Sequence, residues 1–275
     1  KISYLLVTSS MEKYRDKKNA IESIKTSKKI KKMFLISFFK NLAKLFINLI
    51  CLLICLPIIL IFVVLIYFED KSNPIYSGLR VGKNFKLFTL YKLRSMILRE
   101  NIGFQSTSIN DKRILKIGKI IRSTKLDELP QIFNVIKGDI NFVGPRPNVK
   151  EEVDKYIDIE KRILDHKPGI TDFSSIIFSD EGEILKDSKD PDLDYNLLIR
   201  PRKNLIALLY FKDRSILIDI YIIFLTILNI LNRGLALKLI YKYLNKKYNK
   251  HDLNFILRKK PLTKIQNINK YFKII

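Results

Sequence analysis

Asp127 and Glu128 are adjacent carboxylates bracketed by Arg122 and Arg146, inside the run Arg122-Ser-Thr-Lys-Leu-Asp-Glu-Leu-Pro-Gln-Ile-Phe-Asn-Val-Ile-Lys-Gly-Asp-Ile-Asn-Phe-Val-Gly-Pro-Arg-Pro147. Paired carboxylates can hold a divalent cation, and guanidinium groups neutralise phosphoryl oxygens, so this layout suits metal-assisted chemistry on a phosphate. Arg146 stands between Pro145 and Pro147, after Gly144. Two prolines fix the backbone and present the guanidinium as a bidentate phosphate donor. A plainer reading competes at each point. Asp127 can cap a helix, Thr124 with Asp127 three residues on forms a loose capping box, and the Pro-Arg-Pro run is also a rigid turn with an exposed arginine.

The elements that must position these residues follow from the flanking pattern. Leu129, Ile132, Phe133 and Ile136 repeat at helical spacing, with Pro130 tolerated in the first turn and Gly138 as a stop. The carboxylates then sit at or just before a helix N-terminus, where the dipole favours their ionised form. Upstream, Lys112 to Arg122 places Ile114, Leu115, Ile117, Ile120 and Ile121 on one stripe opposite a basic face, as in a core helix or a membrane-surface helix. Ile75-Tyr76 and Phe85 to Tyr91 alternate as short strands around Gly78 and Gly82, and Asn101 to Asn110 reads as a polar loop. Downstream, the pattern predicts an amphipathic helix over Glu151 to His166 and a turn at Pro168 to Thr171 leading into Phe173 to Phe178. Asp180 to Tyr195 reads as an acidic surface loop; its Asp190, Asp192 and Asp194 lack the glycine and glutamate of a calcium loop.

Leu45 to Phe68 carries Asn48 as its one clearly polar residue. As a helix this run reaches roughly 36 Å, enough to cross a bilayer core. It reads as membrane-embedded and, lying far from the N-terminus with no small-residue cleavage site after it, not as a removable leader. Pro57 near its middle predicts a kink. Both flanks are basic, Lys28 to Lys40 before and Arg80 to Arg94 after, so a helix broken at Pro57 and turned back would leave both ends on one side, whereas a spanning helix is the alternative. Cys51 and Cys55 lie one turn apart in this run and read as packing or lipid-facing thiols. Ile216 to Leu231 is apolar but short and interrupted by Asp219 and Asn229, which suits a buried or interfacial helix over a second span.

Fifty-one Lys and Arg against 27 Asp and Glu give a formal charge of +24 over 275 residues, which must face an anionic partner. Residues 1–32 read as a flexible or surface-bound basic arm, 33–69 as the Pro-broken membrane segment, 70–232 as the catalytic domain and 233–275 as a basic tail. There is no glycine-rich phosphate loop, no dinucleotide fingerprint, no C-x-x-C pair and no internal repeat; His166 and His251, the only histidines, sit in no nucleophile arrangement.

The central block resembles the signature of the bacterial sugar transferases, the monotopic polyprenyl-phosphate phosphoglycosyl transferases. Support comes from Ile75-Tyr76, Arg80 to Lys83, Tyr91 to Met96, Pro168 to Thr171 and Asp219, together about two thirds of the chain. The resemblance implies one α/β cytoplasmic domain, mostly helical with a few short strands, held in the cytoplasmic leaflet of the bacterial inner membrane by a re-entrant helix hinged at Pro57, with interfacial amphipathic helices. It implies transfer of a sugar 1-phosphate from a uridine-diphosphate sugar to undecaprenyl phosphate with release of UMP. Asp127 would be the nucleophile, Glu128 with Asp127 would hold Mg²⁺ or Mn²⁺, and Arg122, Arg146, Lys92 and Arg94 would face phosphate on a loop shaped by Gly144, Pro145 and Pro147. Downstream glycosyltransferases are the implied partners, a homodimer is compatible, and nucleic acid is not expected. Three positions depart from the pattern: Leu56 precedes Pro57 in place of Ser, Gly78 replaces Gln, and Asp172-Phe173-Ser174-Ser175 follows Thr171 in place of Gly-Trp-Ala-Gln, leaving the sugar open. The competing class is a non-catalytic basic membrane scaffold that binds anionic lipid or nucleic acid independently of Asp127. A multi-span protein is a third reading, and it needs Ile216 to Leu231 to cross.

Overall fold

Residues 1 to 56 contain neither proline nor glycine, and the backbone is helical from the second residue onward. A computed structural model describes residues 2–97 and 113–248, with backbone alone for 2–31, 36–37 and 40–41. Helix α1 runs Ile2–Asp70, so the expected flexible basic arm is helical instead: no residue in it removes an amide or releases the backbone. The helix also continues through Pro57. The expected break does not interrupt the helical backbone, since a proline removes only one bond of the ladder. Leu42–Asp70 is long and apolar enough to cross a membrane.

The chain divides into two compact units, Lys1–Leu53 and Ile54–Ile275. The first is the amino-terminal part of α1, whose described side chains include exposed Phe34, Phe38, Phe46 and Leu53. The second begins inside the apolar helix, not at its end, and buries Ile59 and Ile66, two turns apart.

Strands β1 (Ile75–Val81) and β2 (Leu87–Leu93) form an antiparallel hairpin from Ile75 opposite Leu93 to Val81 opposite Leu87. Gly82 opens the connection, as expected, while Gly78 lies within β1. The polar run 101–110 lies outside the described residues. Helix α2 (Lys116–Ser123) begins later than its apolar stripe, because Ile114 pairs with Met96 as an isolated bridge. Ile121 is buried and Ile120 exposed.

A 3₁₀ turn at Leu126–Glu128 leads into α3 (Gln131–Lys137), which stops at Gly138 with φ 83°. The single helix expected over 151–166 is three pieces: α4 (Lys150–Val153), α5 (Asp158–Lys161) and a 3₁₀ turn, Arg162–Asp165. Tertiary bonds override the periodicity there: buried Glu160 accepts from Ile157 N at 3.0 Å, starting α5, and from Asn204 Nδ2 at 2.9 Å. The expected turn at Pro168 to Thr171 contains β4 (Gly169–Thr171), parallel to β3 (Asn141–Val143).

Asp172, fully buried, caps α6 (Phe173–Ile177) by accepting from Ser175 N at 2.7 Å. The acidic 180–195 stretch folds into α7 (Glu181–Ile184) and α8 (Pro191–Asp194), the latter capped by Asp190. Helix α9 (Arg200–Asp213) is the core helix, with Leu205 through Tyr210 all buried. Helices α10 (Ile216–Leu231) and α11 (Arg233–Lys247) pair through Ile222, Leu225, Ala236, Ile240 and Leu244. Residues 233–247 therefore belong to the packed body, although the sequence suggests a tail. The apolar remainder of α10, including Ile216, Leu217, Ile220, Phe224 and Ile227, is exposed. The fold is thus mostly helical with two small two-stranded sheets among the described residues.

Candidate active site

Asp127 and Glu128 occupy the 3₁₀ turn that follows Lys125, whose left-handed backbone (φ 59°, ψ 19°) costs on the order of 1 kcal/mol for a non-glycine residue. Strain of this kind persists where the surroundings over-determine the geometry. Neither capping reading survives. Thr124 Oγ1 donates to Ile120 O at 2.7 Å, back into α2, and Asp127 Oδ1 is buried with no hydrogen-bond partner. Glu128, by contrast, is held: Arg146 Nη1 donates to its Oε1 at 2.6 Å, and Lys92 Nζ lies 3.9 Å from the same oxygen.

The electrostatics separate the two carboxylates. Burial, then the neighbouring Glu128 charge, pushes the Asp127 carboxyl above its ordinary range, and Lys92, Arg146 and Lys125 offset this only in part. Burial acts on Glu128 in the same sense, yet Arg146 and Lys92 overcome it and hold Glu128 below its usual value. Burial and Arg146 lower the Lys92 ammonium, against the pull of Glu128 and Asp127. The Arg146 guanidinium is held still more firmly protonated by Glu128. The helix-dipole expectation for Asp127 therefore gives way to desolvation: one short turn offers too little to balance an unpaired buried carboxylate.

The loop that aims Arg146 is fixed at both ends. Gly144 N donates to Thr171 O at 2.9 Å, Gly169 N donates to Pro145 O at 2.9 Å, and Val81 N donates to Asn148 O at 2.9 Å. A Cβ on Gly169 would come within 2.2 Å of Gly144 N and 2.6 Å of Val143 C, so the two backbones cross at a distance only glycine permits. Gly144 and Pro145 of the Gly-Pro-Arg-Pro run are thus tied to β4 through their backbone, and Gly169 is the partner that the sequence reading missed. Its signal was the Pro168-Gly169 pair, read only as a turn.

Lys92 comes from β2, which is tied to α3 by Asn134. This fully buried residue donates Nδ2 to Thr89 O at 2.7 Å and Asp139 Oδ2 at 3.0 Å, and accepts from Tyr91 N at 3.1 Å. Asn134 was also missed; its polar side chain breaking into the apolar pattern of residues 129–136 was the available clue. Arg94 has a different task from the phosphate contact expected of it. Only 2% exposed, it spans the Asp70 carboxylate with two bonds of 2.5 Å and donates Nε to Asn73 O at 2.5 Å. Arg122 does not join the carboxylates either: its Nη1 donates to Met96 Sδ at 3.3 Å, and among the described residues no ion pair links it to Asp127 or Glu128. The structure therefore assembles Asp127, Glu128, Lys92 and Arg146, gives Arg94 and Arg122 other partners, and leaves Pro57 within α1, apart from this cluster.

The sequence model of the bacterial sugar transferase family matches residues 35–233. This chain belongs to the bacterial sugar transferase family. Its relatives include the UDP-glucose:undecaprenyl-phosphate glucose-1-phosphate transferase of Klebsiella pneumoniae, 35% identical over 195 residues, 69% of this chain and 39% of the relative. The galactosyl transferase CpsE of Streptococcus agalactiae is 42% identical over 126 residues, 42% of this chain and 28% of that one. The undecaprenyl-phosphate galactose phosphotransferase of Salmonella typhimurium is 40% identical over 119 residues, 38% and 25% of the two chains. The chain thus spans well under half the length of these three relatives; two of their names specify galactose and one glucose, and two of the three carry undecaprenyl phosphate.

Proposed function

We propose that this sugar transferase moves a sugar 1-phosphate from a UDP-sugar to undecaprenyl phosphate and releases UMP. The observation that carries the reading is the inequality of the carboxylates: Glu128 Oε1 faces Arg146 and Lys92 while its neighbour Asp127 keeps a buried, unpartnered oxygen. A carboxylate left without a partner at the centre of a charged site is suited to attack. In the first step an Asp127 oxygen attacks the sugar-bearing phosphorus, an aspartyl–phosphorus bond forms, and the bond to UMP breaks with its electron pair leaving on the UMP phosphate. In the second, an oxygen of undecaprenyl phosphate attacks the same phosphorus and Asp127 leaves as carboxylate. Arg146 and Lys92 stand where charge accumulates on the phosphoryl oxygens.

A divalent cation, Mg²⁺ or Mn²⁺, fits this donor set. Among the described residues no group of three or more His, Cys, Asp or Glu could hold an ion by itself. An adjacent Asp and Glu with one unpartnered oxygen match a site completed by substrate phosphates, the ordinary arrangement for Mg²⁺. Glu128 and Asp127 would hold it, and it would supply Lewis-acid neutralisation of the diphosphate.

The same reading places the chain on the bacterial inner membrane with the catalytic body facing the cytoplasm. The apolar Leu42–Asp70 run and the exposed apolar side of α10 support it, the latter as an interfacial helix. Undecaprenyl phosphate and membrane lipid are its partners, with downstream glycosyltransferases consuming the product. The basic scaffold is disfavoured, since it assigns no role to the buried Asp127 and Glu128.

The test is UMP release by the detergent-purified full chain with Mg²⁺, undecaprenyl phosphate and a panel of UDP-sugars. UMP with one sugar, lost on chelation and in Asp127→Asn, is the expected result. Asp127→Asn with full activity would remove the nucleophile, and no UMP from any sugar alongside salt-sensitive binding to anionic vesicles would restore the scaffold.

A further inference from the structure

Gln131 opens α3 directly after the carboxylate turn, and only 2% of it is exposed. Its Nε2 is buried without a hydrogen-bond partner. The buried amide next along the same helix, Asn134, has both its nitrogen and its oxygen engaged with β2. Asn134 is explained by the fold; Gln131 Nε2 is not. A buried N–H with no acceptor destabilises the state that contains it, whereas an apolar side chain of similar shape would not. The amide therefore gains its partner in some other state of the site.

The backbone indicates which. From Leu126 to Lys137 the chain follows one right-handed path: Leu129 (φ −55°, ψ −38°) and Pro130 (φ −63°, ψ −13°) are both helical, Leu129 N donates to Leu126 O at 3.2 Å, and Ile132 N donates to Leu129 O at 3.1 Å. Residues 127 and 131 are thus about one turn apart, close enough for both to touch one small ligand. One carries a buried acceptor with no donor and the other a buried donor with no acceptor, and they are not bonded to each other. A group that bonds to Asp127 through phosphorus and presents anionic oxygens satisfies both.

We propose that Gln131 is a further catalytic residue whose Nε2–H donates to a non-bridging oxygen of the phosphoryl group transferred at Asp127. This rests on the reaction proposed above. Gln131 keeps both amide protons throughout, and the bonds made and broken are those already given.

The experiment compares the full chain with Gln131→Leu, and with Gln131→Met should the leucine variant not fold, measuring UMP release and thermal midpoint in the same detergent. With the polar orphan removed, the midpoint is expected to hold or rise while kcat falls about ten- to hundredfold, the loss of one donor to a developing anion. A structural amide, or one bridged to the fold by water, predicts the opposite pairing: activity falling only as far as the midpoint falls. Unchanged kcat at unchanged midpoint also overturns the assignment, and with the parent chain active it leaves the reaction itself standing. A parent chain that releases no UMP from any sugar overturns the reaction, and the role of Gln131 with it.

Discussion

Arg146 and Glu128, eighteen residues apart, share a 2.6 Å hydrogen bond that leaves Asp127, adjacent to Glu128 in the chain, without a partner on Oδ1. One arginine thus differentiates two neighbouring carboxylates of nearly identical chemistry. Arg146→Lys keeps the charge but loses the planar fork, so UMP release should fall about tenfold or more, and Arg146→Ala further. A lysine variant with parental kcat would show that charge alone suffices.

In the proposed reaction, Asp127→Asn removes the attacking oxygen while nearly preserving shape. Activity should drop roughly a thousandfold or more. Because a buried carboxylate lacking a partner is replaced by a neutral amide, the thermal midpoint should not fall with it; circular dichroism melts beside the UMP assay check both.

The acid limb of the rate belongs to Asp127. Its carboxyl is raised by burial and by Glu128, so the ionised nucleophile accumulates only above the ordinary aspartate range, and kcat should climb with pH through that raised value. Lys92 works against the rise. Lys92→Met should therefore displace the acid limb to higher pH as well as lower the plateau. A pH–rate profile whose acid limb stays fixed would separate Lys92 from Asp127. The stability consequence has the opposite sign: since folding favours protonated Asp127, its contribution weakens the fold as pH rises through the raised value.

Arg94 is a stability residue. Truncation to Ala leaves Asp70 and the Asn73 carbonyl without their donor, and removing one partner of a buried pair costs about 3–5 kcal/mol. Chemical denaturation should show a loss of that order. A variant as stable as the parent would mean that the bonds at the end of α1 contribute nothing.

Gly169→Ala tests the backbone crossing behind Arg146. Its methyl meets Gly144 N at 2.2 Å, so the Pro-Arg-Pro loop must shift, and activity should fall more than the thermal midpoint does. Gly138→Ala, with only the end of the Lys167 side chain nearby at 3.4 Å but a φ of 83°, should lose stability by about 1 kcal/mol while keeping the loop in place.

Much of the site was legible because its signals were local. The carboxylate pair, the arginine between prolines and the stop at Gly138 all sit within one stretch of chain, and the structure brings Arg146 to Glu128 and ends α3 at Gly138. Where the reading failed, the deciding contact came from elsewhere in the sequence. Arg94 looks like a phosphate ligand until Asp70, 24 residues earlier, takes its guanidinium. Thr124 is the local exception: its hydroxyl turns back to Ile120, four residues earlier, and caps nothing ahead of it. The 151–166 stripe has the right period for one helix, but Glu160 answers to Asn204, 44 residues on. Residues 233–247 likewise read as part of a Lys-rich tail, because nothing local shows that α10 lies ready to receive α11.

The final turn of the apolar helix grips the catalytic body twice. Asp70 holds Arg94, the residue after β2, and Glu69 accepts from Lys116 N at 2.7 Å and Ile117 N at 3.0 Å, fastening the start of α2. No slack joins this turn to the domain. Each residue added or removed in the helix just before Glu69 would swing that double attachment by about 100° and slide it by about 1.5 Å. The register of the apolar helix is therefore a dimension of the active site: a single-residue insertion there should disturb chemistry more than a whole-turn insertion, although both lie entirely outside the site.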